Sequence, residues 1–317
     1  MKLKRTDYII NTPGHDPRLP GRLRFAVLAD FHNGDPGASL AMLRKDVPDA
    51  ILIPGDVVNG YYPDEGCLLI DTCSNIRPFL EGCVEIAPTF MSLGNHECLM
   101  CSEDYDVIRS TGVKLLDNEW TEFIMPASGN ADPDPTGSGT GGSDPDLLES
   151  GNAGSGHEYR ILIGGLTSAY SISYRTFRER YNRENSEAGY ERYPYHKRPR
   201  DILKYPTESA WLDDFERQPG YRILLSHHPE YWCMREPMLR DRMIDLVLSG
   251  HAHGGQWQLL GRGILAPGQG FFPKYTHGMH FGPRGRMIVS RGLHNPFAYI
   301  PRWGNPCELI YVEIRND

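Results

Sequence analysis

The chain has 317 residues, 39% of them hydrophobic and 23% charged, proportions that exclude a disordered or membrane-embedded chain and suit one large α/β domain. Its net charge of −8 excludes an extended nucleic-acid surface, which needs clustered Lys and Arg, and leaves room only for a small nucleotide in a pocket. No run of about 18 apolar residues occurs and no apolar stretch follows Met1-Lys2-Leu3-Lys4-Arg5, so neither a transmembrane segment nor a signal peptide is expected; the cytoplasm is the expected location, with peripheral membrane association left open.

Taken in chain order, short apolar runs end at once in polar, Gly-containing turns, the pattern of buried strands with functional loops at their C-terminal ends. Residues 23–29 lead into Asp30, residues 50–53 into Asp56, and residues 89–93 into Asn95 and His96. Helical potential at 39–45, 66–80 and 103–110 separates these runs, which predicts a βαβ-style half with parallel strands. Residues 120–125 and 159–163 both read as strands, and between them residues 127–156 are dominated by Gly, Ser, Asp, Asn and Pro. That stretch offers almost nothing to bury and is expected to be a flexible insertion that expands a hairpin.

Residues 170–200 are rich in Arg and Tyr, which fits either a solvated face or a cap offering cations and aromatic faces to an anionic substrate. Further on, residues 223–225 lead into His227 and residues 246–248 into His251 and His253, with strand-like runs at 287–290 and 309–314. A mixed sheet pair flanked by helices is the expected architecture. The seven cysteines include a lone Cys98-x-x-Cys101 without a second pair, so they are expected to be reduced thiols.

The polar residues at the strand ends form an ordered set: Asp30-Phe31-His32, Gly55-Asp56, Gly94-Asn95-His96-Glu97, His227-His228 and Gly250-His251-Ala252-His253. Carboxylates, an amide and imidazoles without thiolate suit hard or borderline divalent ions such as Mn, Fe, Zn or Co. A carboxylate able to bridge two ions, for which Asp56 is the candidate, would set the short metal separation that two-metal hydrolases use on phosphoryl groups.

In this order, DxH, GD, GNHE, His and GHxH, the chain resembles the calcineurin-like metallophosphoesterase superfamily from about residue 23 to 314. The run Gly250-His251-Ala252-His253-Gly254-Gly255-Gln256, then Val289-Ser290-Arg291-Gly292-Leu293 and Asn305-Pro306-Cys307-Glu308, is similar to the bacterial YkuE/YaeI-type phosphodiesterase branch. The resemblance implies a four-layer αββα sandwich with two mixed sheets, spanning residues 1–317 as a single domain. It implies that Asp30, His32, Asp56 and His253 hold one metal and that Asp56, Asn95, His227 and His251 hold the other. His96 would be the catalytic acid at the leaving oxygen, opposite a metal-bridging hydroxide attacking in line.

The implied reaction is hydrolysis of a phosphodiester on a small-molecule or lipid-linked substrate, with two divalent ions as cofactors and no protein partner. Pyrophosphate cleavage of a nucleotide-linked or lipid-linked substrate, and a non-catalytic metal-binding scaffold, are the alternatives. Glu97 is expected to orient the His96 loop without ligating. His228 is expected to point away from its neighbour His227, since adjacent side chains on an extended segment diverge. Gln256 and His294 stand open between substrate contact and a structural role.

Overall fold

The computed structural model describes residues 3–59, 67–126, 158–168, 209–234, 237–266, 269–295 and 301–316. Sixteen strands occur among them. The first five are β1 (Lys4–Asn11), β2 (Arg22–Val27), β3 (Ala50–Ile53), β4 (Thr89–Ser92) and β5 (Lys114–Leu116). There follow β6 (Glu119–Pro126), β7 (Glu158–Leu166), β8 (Tyr221–Ser226), β9 (Leu246–Ser249), β10 (Gln258–Leu259) and β11 (Arg262–Gly263). The last are β12 (Leu265–Ala266), β13 (Gly270–Phe271), β14 (Gly278–Phe281), β15 (Arg286–Val289) and β16 (Glu308–Arg315). The helices are α1 (Gly37–Lys45), α2 (Ile76–Val84), α3 (Ser102–Ser110) and the single turn α4 (Leu212–Phe215).

Two six-stranded mixed sheets form, in the orders β1-β16-β2-β3-β4-β5 and β14-β15-β9-β8-β7-β6. Side-chain alternation explains their stacking, because each strand buries one face against the other sheet and one against helices or turns. In β2 and β3, Leu23, Phe25, Val27, Ala50 and Leu52 fill the space between the sheets with Ile161, Ile163, Ile223, Leu225, Leu246 and Leu248. Ala26, Ile51 and Ile53 face the other way, onto α1 to α3 through Leu43, Phe79, Leu80 and Ile108. Leu162, Leu224, Val247 and Met287 cover the outer face of the second sheet with Leu212 and Phe215. This is the expected four-layer αββα sandwich, with α4 and the 3₁₀ turn Pro229–Trp232 on the outer face of the second sheet among the described residues.

Strands β2, β3 and β4 run parallel in the first sheet, and β7, β8 and β9 run parallel in the second. Their C-terminal ends meet at one edge, where the Ser168 N–H donates to the Leu93 carbonyl at 3.1 Å and joins the sheets. Every candidate ligand follows one of these ends.

The segment 66–80, expected as one helix, breaks into a 3₁₀ turn at Ile70–Thr72 and α2 beginning at Ile76. Pro78 lies in the first turn of α2, where a missing N–H costs nothing. Strands β6 and β7 pair antiparallel, with Pro126 opposite Glu158; the stretch 127–156 and the Arg/Tyr stretch 170–200 lie outside the described residues. Cys67, Cys73, Cys83, Cys101, Cys233 and Cys307 are free thiols. Cys101 is the N-cap of α3, its N–H donating to Asp104 Oδ2 at 3.0 Å.

Candidate metal centre

The first cluster forms where the loops after β2 and β3 cross. Asp30 N–H donates to the Gly55 carbonyl at 3.2 Å and His32 N–H to the Asp56 carbonyl at 3.1 Å, so the DxH and GD turns are laced together. The Glu97 carboxylate locks the third loop onto them, accepting from the N–H groups of Gly94 at 2.7 Å, Val57 at 2.8 Å, Asp56 at 3.0 Å and Val58 at 3.3 Å. Four donors on one buried carboxylate explain the Glu of GNHE as the part that ties the loops carrying Asp56 and Asn95. Gly94 must be glycine, because a Cβ there would lie 2.2 Å from Asp56 Oδ1.

The histidines are aimed by hydrogen bonds on their far nitrogens. His32 Nδ1 is 3.3 Å from the Val58 carbonyl and His227 Nδ1 is 2.9 Å from the Pro54 carbonyl, which leaves each Nε2 directed at the carboxylates. His32 Nε2 lies 3.8 Å from Asp30 Oδ1 and 3.9 Å from Asp56 Oδ2, and His227 Nε2 lies 3.1 Å from Asp56 Oδ2. His253 Nε2 stands 3.7 Å from Asp30 Oδ1. Asp30, His32 and His253 thus present atoms within 4.8 Å of one another, as do Asp56, His227 and His251. His32, Asp56 and His96 form a third such group, so His96, expected as an acid, also stands within ligand reach.

His96 differs from the others in exposure. Its side chain is 25% exposed with Nε2 3.7 Å from Asp56 Oδ2, while those of Asp30, His32, Asp56 and His227 are at most 1% exposed.

Backbone strain marks the same residues. Asp30 (φ 54°), His32 (φ 44°), Asp56 (φ 56°), His251 (φ 66°) and His253 (φ 47°) all adopt the left-handed region, which disfavours side chains other than Gly, Asn and Asp and costs of order 1–3 kcal/mol each. Such a concentration is understandable only where the geometry of the side chains is worth more than local comfort.

Electrostatics divide the cluster. Burial raises the Asp30 carboxyl to about 7, helped by the Asp56 charge. Burial would raise Asp56 too, but the imidazoles of His227, His96 and His32 hold it well below the usual carboxylate range. Burial keeps His32, His251 and His253 far below the usual imidazole range, hence neutral. His227 overcomes burial because Asp56, Asp30 and Glu97 raise it to about 9. Asp30 Oδ2, His32 Nε2 and Asn95 Oδ1 are buried without a hydrogen-bond partner, and such atoms are costly unless something positive meets them. Divalent ions between these carboxylate, amide and imidazole donors fit that need.

The sequence profile of the calcineurin-like phosphoesterase family matches residues 23–255. The chain belongs to this family. Members are dinuclear-metal-dependent phosphoesterases, and the two clusters around Asp30 and Asp56 are its candidate ligands. Similar solved structures include a dimetal phosphatase from Danio rerio, 12% identical over 86% of this chain and 88% of that one, with a TM-score of 0.44. The calcineurin-like phosphoesterase YfkN from Bacillus subtilis is 12% identical over 86% of this chain and 82% of that one, with a TM-score of 0.41. The sulfate thiohydrolase SoxB from Thermus thermophilus is 11% identical over 85% of this chain, which spans 51% of that one, with a TM-score of 0.41. No curated protein matches the chain.

Some neighbours of this phosphoesterase centre make contacts that the sequence does not specify. His228 keeps an extended backbone ahead of the 3₁₀ turn at Pro229; its Nδ1 lies 2.8 Å from Ser168 Oγ while that of His227 faces the Pro54 carbonyl, and its ring rests 4.1 Å from that of His251. Gln256 donates to Asn295 Oδ1 at 3.2 Å, and the His294 N–H donates to the Asp30 carbonyl at 3.1 Å.

Two further residues went unassigned in the sequence. The buried Arg302 guanidinium donates to the carbonyls of His294 and Arg291, both at 2.6 Å, and lies 3.2 Å from His253 Nδ1. Asn305 Nδ2 donates to the His253 carbonyl at 2.6 Å. Arg302 carries no sequence signal beyond an Arg in a stretch otherwise poor in charge, and the Asn305-Pro306-Cys307-Glu308 run marks Asn305 without specifying its partner.

Proposed function

We propose that this phosphoesterase cleaves phosphate diesters. Asp30, His32, Asp56 and His253 would hold one divalent ion, and Asp56, Asn95, His227 and His251 the other. The observation that carries this reading is the convergence of buried carboxylates and imidazoles from five strand ends, with the partly exposed His96 beside Asp56. Two bound ions supply an activated water and neutralise charge on the phosphoryl oxygens.

The chain's own residues do the rest. Asp56 sits between the two clusters and positions both. Glu97 and the backbone N–H of His96, which donates to Asp56 Oδ1 at 2.9 Å, fix its carboxylate. His96, partly exposed beside Asp56, would protonate a departing alkoxide. The buried walls exclude bulk water from the far side of the ligands.

The finer likeness to the YkuE/YaeI-type branch rests on residues that pack together. Asn305 holds the His253 loop, and Glu308 accepts from the Arg291 N–H at 2.9 Å and from its Nη1 at 2.7 Å. We read residues 1–317 as one domain carrying this site.

The test is hydrolysis of bis-p-nitrophenyl phosphate, p-nitrophenyl phosphate and a nucleoside diphosphate ester after chelation and readdition of Mn, with Asp56→Asn and His96→Ala. The expected result is metal-dependent diester cleavage abolished in Asp56→Asn and strongly reduced in His96→Ala. A preference for the monoester or the pyrophosphate would overturn the diester assignment, and full turnover by His96→Ala on an alkyl ester would overturn its acid role.

A further inference from the structure

Among the described residues, five exposed large apolar side chains, including the two most exposed, gather beside the metal centre. Leu260 is 95% exposed, Phe272 83% and Phe271 72%, with Trp303 at 63% and Leu259 at 55%. All but Trp303 lie on or next to two miniature hairpins, β10–β11 and β12–β13. The Gln258 N–H donates to the Trp303 carbonyl at 2.8 Å, and the Phe272 N–H donates to the Ile264 carbonyl at 2.8 Å, so the pieces form one projection. It is built directly on the His253 loop: the Ile264 N–H donates to the Gly255 carbonyl at 3.2 Å, and a Cβ on Gly255 would lie 2.5 Å from Gly263 Cα.

Nothing in the fold selects these side chains. Leu260 and Phe272 have φ of 51° and 53°, where turns ordinarily carry Gly or Asn, and both point into solvent. Phe281 is also exposed, but its register partner Arg286 begins β15 and places it at the end of the second sheet remote from the metal centre.

A second, independent observation is charge. Residues 246–307 contain six Lys or Arg and no Asp or Glu, in a chain whose net charge is −8. Two of those cations belong to the projection: the exposed Arg262 stands opposite Leu259 in register, and the exposed Lys274 follows Phe272 by two positions.

We propose that this projection docks on an anionic lipid bilayer, with Leu260, Phe271, Phe272 and Trp303 entering the headgroup region and Arg262 and Lys274 meeting lipid phosphates. Protruding apolar and aromatic tips interleaved with cations are the composition of an interfacial anchor. A second copy of the chain is a poorer occupant, because a two-fold contact would bring together two patches of the same positive charge. Docking would hold the metal centre beside the membrane. The proposal is independent of the hydrolytic reading, since docking is measured without substrate.

The experiment is flotation of the full chain with vesicles of phosphatidylcholine alone or with roughly one-third phosphatidylglycerol. Wild type is expected to float with the anionic vesicles and to be released by salt. Leu260→Ser with Phe272→Ser should lower the partition coefficient at least about tenfold, and Arg262→Glu with Lys274→Glu should remove the preference for anionic lipid. Both variants should keep the wild-type melting temperature and turnover of a soluble ester. Absence of wild-type flotation, or flotation unchanged by Leu260→Ser with Phe272→Ser, would overturn the proposal. So would a wild-type dimer in light scattering that this variant abolishes, which would assign the surface to self-association.

Discussion

Replacing Glu97 with Gln should damage the metal centre without touching a candidate ligand. At pH 8, above the value of about 7 to which burial raises this carboxyl, the two oxygens accept four N–H groups: Val57 and Val58 on Oε1, Asp56 and Gly94 on Oε2. An amide has one oxygen and one NH2, so in either orientation the substituted side chain turns a third donor toward two buried N–H groups. Two unsatisfied buried donors cost about 1–3 kcal/mol each, and the surviving pair loses its charge assistance. The expected destabilisation is about 3–6 kcal/mol, a large part of the roughly 5–15 kcal/mol that holds a typical domain. The Asp56 turn would loosen as well, and loss of such a supporting residue typically weakens metal binding about 10–100-fold. Urea unfolding of the metal-free protein at pH 8 and a Mn titration against a chromogenic chelator read the two effects separately. Unfolding within about 1 kcal/mol of wild type together with unchanged Mn affinity would refute the clamp.

Gly94→Ala places a methyl 2.2 Å from Asp56 Oδ1, and should cost about 1–3 kcal/mol and abolish high-affinity metal binding in the same titration. Burial raises the Glu230 carboxyl from 4.5 to about 7, outweighing hydrogen bonds from a backbone N–H and from Gln269. The folded state then binds more protons than the unfolded state between those values, so stability should fall by about 3 kcal/mol as pH rises through that window. Unfolding curves at pH 5 and pH 8 should show a fall in wild type that is smaller by about 3 kcal/mol in Glu230→Gln. Exchange of residues 127–156 for a short Gly-containing turn should leave melting temperature and turnover unchanged, because Pro126 and Glu158 already face each other in register; failure to fold would contradict the hairpin reading.

The legible parts of the fold are those where one physical signal dominates. In β2, β3, β8 and β9 nearly every side chain is buried on one face or the other, so the strands stand out as apolar runs, and a polar residue after such a run has to lie at the sheet edge. That is why Asp30, Asp56, Asn95, His227 and His251 could be placed together from the chain alone. Strand β1 was invisible because it is an edge strand with mostly exposed or half-buried positions and no clear alternation. Strands β10 to β13 have two residues each, too short for any period to register.

The site was less legible wherever a side chain's direction depends on backbone bends. His228 keeps the extended backbone that alternation assumes, yet its ring meets that of His251, a contact across the chain that alternation within one segment cannot foresee. Five candidate ligands lie in the left-handed region, so helical or strand periodicity says nothing about where they aim. What aims them is contact with partners far along the chain: Glu97 on the Asp56 turn, Pro54 on His227, and Arg302 beside His253. The identity of a ligand is therefore written locally in the motif, while its direction is written partly in Glu97 of the GNHE motif and partly in residues such as Pro54 and Arg302 that carry no motif.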